Sequence, residues 1–141
     1  MLGVMPTLPM SNDSLLVRTD FSSEAAWEQV SGEATRTYEG GCQAYAQPVS
    51  DPAFDGSGWE AVKAAVPAND EGASVLFIVD RTTLASDEHP ILVVDLSDDD
   101  NEPFRCIPPQ LWAIDNNLNI SNLDWEDFAD DTSEDGIYRG L

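Results

Sequence analysis

The chain alternates between short runs that are apolar throughout and polar stretches in which apolar residues recur every three or four positions. Leu15-Leu16-Val17-Arg18-Thr19 is the first apolar run and predicts a strand. Asp20-Phe21-Ser22-Ser23 supplies N-cap candidates, and Glu24 supplies a first-turn acid. Ala26, Trp27 and Val30 then fall at helical spacing, predicting an amphipathic helix of about ten residues before Gly40-Gly41. Gln43 to Val49 reads as a weak second strand, and residues 51–58 read as loop. Trp59, Val62 and Val66 mark one face of a second helix, which Pro67 ends.

The runs Ser74–Val79 and Pro90–Leu96 are the most apolar and predict strands buried on both faces. Asp80-Arg81-Thr82-Thr83 closes the first of them, and Asp98 to Pro103 follows the second as an exposed turn. Phe104 to Ile107 is a short fifth strand. Pro108 and Pro109 suit the first turn of a helix from Gln110 to Asn116, which Asn116-Asn117 is expected to break. Trp125, Phe128 and Ala129 share one face of a short helix from Asp124 to Asp130, and Ile137-Tyr138-Arg139 fits an edge strand. The pattern predicts an α/β fold: a mixed, mainly buried β-sheet of about five strands with short helices on both faces. The link from Val79 to Pro90 is short for a parallel crossover, which argues against an all-parallel sheet. Residues 1–13 read as a flexible leader, and 14–141 as a single acidic domain.

Composition adds one strong constraint. Of 141 residues, 27 are Asp or Glu and only six are Lys or Arg, for a net charge of −21. With four Trp, five Phe and three Tyr the chain has the apolar supply of a folded domain, so acidity here does not mean disorder. Such a surface repels phosphate backbones and anionic membranes, excluding direct nucleic-acid or membrane binding as expectations. It favours a basic protein as partner, although excess acid also serves solubility alone. The excess is uneven: residues 1–70 hold ten acids and three bases, residues 71–141 seventeen and three. Asp98, Asp99, Asp100, Glu102, Glu126, Asp127, Asp130 and Asp131 form the candidate partner surface. Acids at the end of the last predicted helix oppose its dipole, which suggests a selected negative face rather than one tuned for stability. The apolar stretch Met1–Met10 lacks the Lys or Arg of a signal peptide, and no run is long enough to span a membrane, so a cytoplasmic location is expected.

Candidate chemistry is sparse. In open α/β sheets ligands bind beyond the carboxyl ends of the strands. Those ends carry Arg18, Asp20, Asp80, Arg81 and Asp95, an alternative ligand cleft in which an Arg between carboxylates meets an anionic group, or else an internal ion-pair network. Asp98, Asp100 and Glu102 occupy the first, third and fifth positions of a calcium-loop pattern, but Pro103 and Pro109 stand where the motif needs Gly and Glu. His89, the only histidine, precedes Pro90 and is expected to be extended and partly exposed. Cys106 reads as a small buried hydrophobe, and its pairing with Cys42 is left open. No nucleophile elbow, phosphate loop, dinucleotide fingerprint or zinc spacing is present. The reading leans to a non-enzymatic protein without metal or cofactor.

Five stretches carry a family likeness: Leu15 to Phe21, Val79 to Leu84, His89-Pro90 leading into Val93-Val94-Asp95-Leu96, Asn116 to Phe128, and Asp135 to Gly140. Together they resemble a family of short acidic bacterial and fungal proteins known only as a domain of unknown function. The resemblance spans roughly residues 14–141 and implies no activity and no functional residues.

Overall fold

Two strands of the sheet are buried at every position, and this sets the architecture: β1 (Leu15–Arg18) and β3 (Val75–Val79) must be covered on both faces. The structure, a computed structural model, describes residues 6–68 and 72–140. It contains one six-stranded mixed sheet, completed by β2 (Gln47–Val49), β4 (Ile91–Asp95), β5 (Phe104–Cys106) and β6 (Ile137–Tyr138), in the order β2-β1-β3-β4-β5-β6. β1 runs parallel to both β2 and β3, with Val17 opposite Ile78. β4 is antiparallel to β3, with Val75 opposite Asp95, as the short link after Val79 requires. β5 is antiparallel to β4, and β6 is parallel to β5 with Tyr138 opposite Cys106.

Helices cover both faces. On one face α1 (Glu24–Thr35), α4 (Leu111–Asn119) and α5 (Trp125–Ala129) bury Trp27, Val30, Leu111, Ile114, Trp125 and Phe128 against Leu16, Phe77, Ile91 and Phe104. On the other, α2 (Trp59–Ala64) and the turn around Phe54 bury Val62 and Phe54 against Leu15, Val17, Leu76 and Ile78. This second layer covers mainly the β1–β3 half, so Leu92 and Leu96 stay partly exposed. Each fully buried Val, Leu or Phe side chain contributes roughly 1.5–3 kcal/mol.

Local chemistry explains where the elements depart from the sequence pattern. Ser23 caps α1 by accepting the Ala26 amide (3.1 Å), as expected, but the helix ends at Thr35, where Arg36 turns extended. The weak second strand shrinks to Gln47–Val49. Asp80 opens a further helix, α3 (Arg81–Ala85), by accepting the Thr83 amide (3.1 Å) while Thr83 Oγ1 accepts the Asp80 amide (3.2 Å). The asparagines expected to break α4 instead sit inside it, because their amides find partners: Asn117 donates to the Ala113 carbonyl (2.7 Å) and Asn116 to the Gln43 carbonyl (3.3 Å). His89 is not extended: its φ is +51°, and its side chain is largely covered beside Glu33. Cys42 and Cys106 are free thiols, and burial pushes the Cys106 thiol up. In the segment read as a flexible leader, Leu8 is buried and its amide donates to the Ala65 carbonyl (2.9 Å), while residues 1–5 lie outside the described chain. Among the described residues no helix is long and apolar enough to cross a membrane.

One buried carboxylate joins the segments at the amino end of β1. Asp115, only 2% exposed, accepts the Ser14 hydroxyl (2.5 Å), the Asn119 amide (2.8 Å) and the Tyr45 backbone amide (2.8 Å). Asn119 in turn accepts the Ser74 amide (2.9 Å) at the start of β3. Replacing Asp115 by Ala strands three donors, and the expected loss is about 3 kcal/mol of unfolding free energy in urea titration. A loss below about 1 kcal/mol would show that the network is dispensable.

Candidate functional site

The strand-end cluster divides when the strands are placed. β1 and β3 are parallel, so Arg18, Asp20, Asp80 and Arg81 come to one end of the sheet. β4 runs the other way, and Asp95 lies at the opposite end. There it is buried and accepts the amide and hydroxyl of Ser97 (2.9 and 2.8 Å) and the Asn101 side-chain amide (2.8 Å), closing the β4–β5 turn. Asp95 is therefore no part of a strand-end cleft.

At the shared end the chain makes a crevice of about 540 Å³, lined among others by Thr19, Asp20, Asp55, Asp80, Arg81 and Thr82. Its place follows from the topology: α1 and α2 cross on opposite faces of the sheet and leave an opening between the ends of β1 and β3. The Gly56 amide donates to the Thr19 carbonyl (2.8 Å) and holds the 55–57 loop over one side. Arg18 does not reach into this space as an anion receptor. It is 3% exposed, donates to Glu24 (2.6 Å), Ser50 (3.2 Å) and the Asp20 carbonyl (3.2 Å), and stacks 4.2 Å from the centre of the Phe21 ring. Ser22 and the nearby Arg81 and Arg18 hold the Asp20 carboxyl below the ordinary range. Arg81 itself is exposed on the first turn of α3.

Asp80 has a partner that the sequence pattern did not single out. Arg105, on β5, reaches across β4 to clasp it with two hydrogen bonds (2.9 and 2.8 Å) and also donates to the Pro90 carbonyl (3.1 Å). The two residues are 25 positions apart, and only the strand order brings them together. Burial pushes the Asp80 carboxyl up, but the Arg105 and Thr83 hydrogen bonds outweigh it and the net shift is downward. Most of this end is thus an internal ion-pair network.

A second concavity lies on the C-terminal third. Gln110, Trp112, Ala113 and Asn117 of the α4 region, Phe128 and Asp127 of α5, Leu123 between them, and Tyr138 to Gly140 enclose a groove of about 630 Å³. Trp112, Ala113, Leu123 and Phe128 give it apolar surface, interleaved with the polar Gln110 and Asn117. Asp127 and Asp131 stand on it as acids, and Asp131, after burial and Cys106, helps to raise the Tyr138 hydroxyl. Among the described residues the one base lining it is Arg139, already held by Glu88 (2.7 Å) and Asp135 (2.7 Å). Glu126, Asp127, Asp130 and Asp131 are all exposed, and among the described residues none forms an ion pair.

The structure revises the helix-end argument for these acids. α5 starts at Trp125, so Glu126 and Asp127 lie in its first turn, where acids stabilise the helix. Asp127 also accepts the Asp124 amide (2.7 Å) as half of a capping box. Only Asp130 and Asp131 sit at the unfavourable end. The other acidic stretch lies elsewhere: Asp98, Asp99, Asp100 and Glu102 occupy the β4–β5 turn, and Asp99 pairs with Lys63 of α2 (2.7 Å), toward the face opposite α5. Among the described residues no group of three or more His, Cys, Asp or Glu is placed to hold a metal ion.

The Asp80–Arg105 clasp has a pH signature. With its folded-state pKa below the ordinary value of 3.8, Asp80 contributes stability that is complete above that value and is lost as pH falls through the folded pKa. The destabilisation of Asp80→Asn relative to the parent, measured in urea, is expected to be full at about pH 6 and to shrink at about pH 2. A difference that does not change with pH would mean the carboxylate charge is not what Arg105 holds.

No curated protein matches the chain. Residues 13–141, nearly all of the chain, fit the family model described as Domain of unknown function (DUF6924), and the chain belongs to that family.

Proposed function

We propose that the protein is a non-enzymatic binding module that engages a basic protein through the acidic surface of its C-terminal third. The observation that carries this reading is the set of exposed acids Glu126, Asp127, Asp130 and Asp131, unanswered by any cation among the described ion pairs; two of them, Asp127 and Asp131, line a groove with Trp112, Leu123 and Phe128. Unneutralised acids next to exposed apolar surface suit a partner with basic side chains, since charge complementarity sets specificity and speeds association. An inhibitor of a basic enzyme, or a protein that mimics the charge of DNA, would use such a face. The β4–β5 turn is a weaker contributor, because Lys63 already engages Asp99.

The crevice between the ends of β1 and β3 supports a second reading, a small-molecule site with Arg81 as an exposed cation and Asp20 and Asp55 beside it. Its ligand would have to accept from Arg81 without displacing the Arg105 clasp on Asp80. A thermal-shift screen of small anions and zwitterions that yields a hit abolished by Arg81→Ala would promote this reading over the first.

Charge reversal tests the main proposal. Glu126→Lys, Asp130→Lys and Asp131→Lys are combined, and Asp127 is left intact because it caps α5. The triple variant is expected to lose a partner that the parent captures at about 50 mM salt and releases near 500 mM. Reversal of Asp98 and Asp100 on the turn is expected to leave capture unchanged. If the α5 triple variant retains every interaction of the parent, the proposal fails.

A further inference from the structure

We infer that the α4–α5 groove receives a cationic amphipathic segment of the partner, with one apolar side chain seated between Trp112 and Phe128 and flanking Lys or Arg side chains against Asp127 and Asp131. This rests on the acidic-surface reading and adds a specific occupant to it. Charge alone would be served by a flat surface. Here Asp127 and Asp131 border a depression of about 630 Å³ that also exposes Trp112, Ala113, Leu123 and Phe128, a size suited to one or two side chains of a bound segment. Leu123, in this lining, is 39% exposed. A large aliphatic residue left in water between acids suits a partner that is apolar as well as basic.

Electrostatics selects the occupant. A second copy of the chain would bring another net charge of −21 to the same groove. Anionic lipid and nucleic acid are repelled for the same reason. Arg139, the one cation lining the groove among the described residues, is neutralised by Glu88 and Asp135, so the groove keeps the negative character of Asp127 and Asp131. The depth of the groove then discriminates between a basic segment that carries an apolar anchor and one that does not.

Two synthetic peptides of equal charge test this by calorimetric titration against the full chain. One carries Lys and Arg around a central Leu, and the other has Ser in its place. The Leu peptide is expected to bind about tenfold more tightly. Leu123→Ser is expected to remove most of that advantage, and Asp131→Asn to weaken both peptides, with thermal unfolding of both variants close to that of the parent. Equal binding of the two peptides, unaffected by Leu123→Ser, would overturn the groove while leaving the acidic-surface reading in place. If neither peptide binds at low salt, both fall.

Discussion

The interaction on which the arrangement most depends is the burial of the Asp115 carboxylate among three donors. A carboxylate removed from water is tolerated only when its oxygens are satisfied. Ser14, Tyr45 and Asn119 satisfy them from three separate segments, and Asn119 passes the connection on to Ser74. The amino ends of β1 and β3, the approach to β2 and the middle of α4 are thereby fixed at one end of the sheet. The opposite end is held by different chemistry, the clasp of Arg105 on Asp80 and the enclosure of Arg18 by Glu24 and Phe21. Between the two polar clamps the sheet interior is apolar, which keeps the strands in register without further charge pairs.

The change of direction between β3 and β4 decides what the strand ends can do. Had β4 run parallel, Asp95 would have joined Asp20 and Asp80 around the crevice. Because it runs antiparallel, that end receives Arg105 instead, and Arg105 occupies the carboxylate best placed to meet a ligand. The crevice that remains is shaped by topology but furnished mainly by side chains already satisfied within the protein, so its one exposed cation, Arg81, bears whatever binding it supports.

The acidity separates into parts with different physical roles. Asp80, Asp95, Asp115 and Asp127 organise backbone turns, helix starts and the clamps. Asp99, Glu88 and Asp135 are matched by Lys63 and Arg139. Other exposed acids have no ion-pair partner among the described residues, and two of them, Asp127 and Asp131, line the α4–α5 groove beside Trp112, Leu123 and Phe128.

Much of the framework was legible from the residues alone. The apolar runs at 15–18, 75–79 and 91–95 could only be buried strands, the helical spacing of Trp27 and Val30 and of Trp125 and Phe128 placed two covering helices, and the short link after Val79 required a mixed sheet. These signals are local, because side-chain periodicity reports the faces an element must bury. Helix α3 and the continuation of α4 were not legible in the same way. A Thr at the third position of a cap and two adjacent asparagines favour turns unless a neighbour supplies partners, and those partners, such as the Gln43 carbonyl, lie far off in sequence. The same limit governs the candidate sites. The sequence by itself determined that the molecule is acidic and that its charge is greatest in its second half. Only the tertiary structure decided that Arg105 rather than Arg81 pairs with Asp80, that Asp95 stands at the far end of the sheet, and that Asp127 and Asp131 border a groove with Trp112 and Phe128. Strand direction and helix packing are set by contacts between distant residues, and no local pattern encodes which charges those contacts bring together.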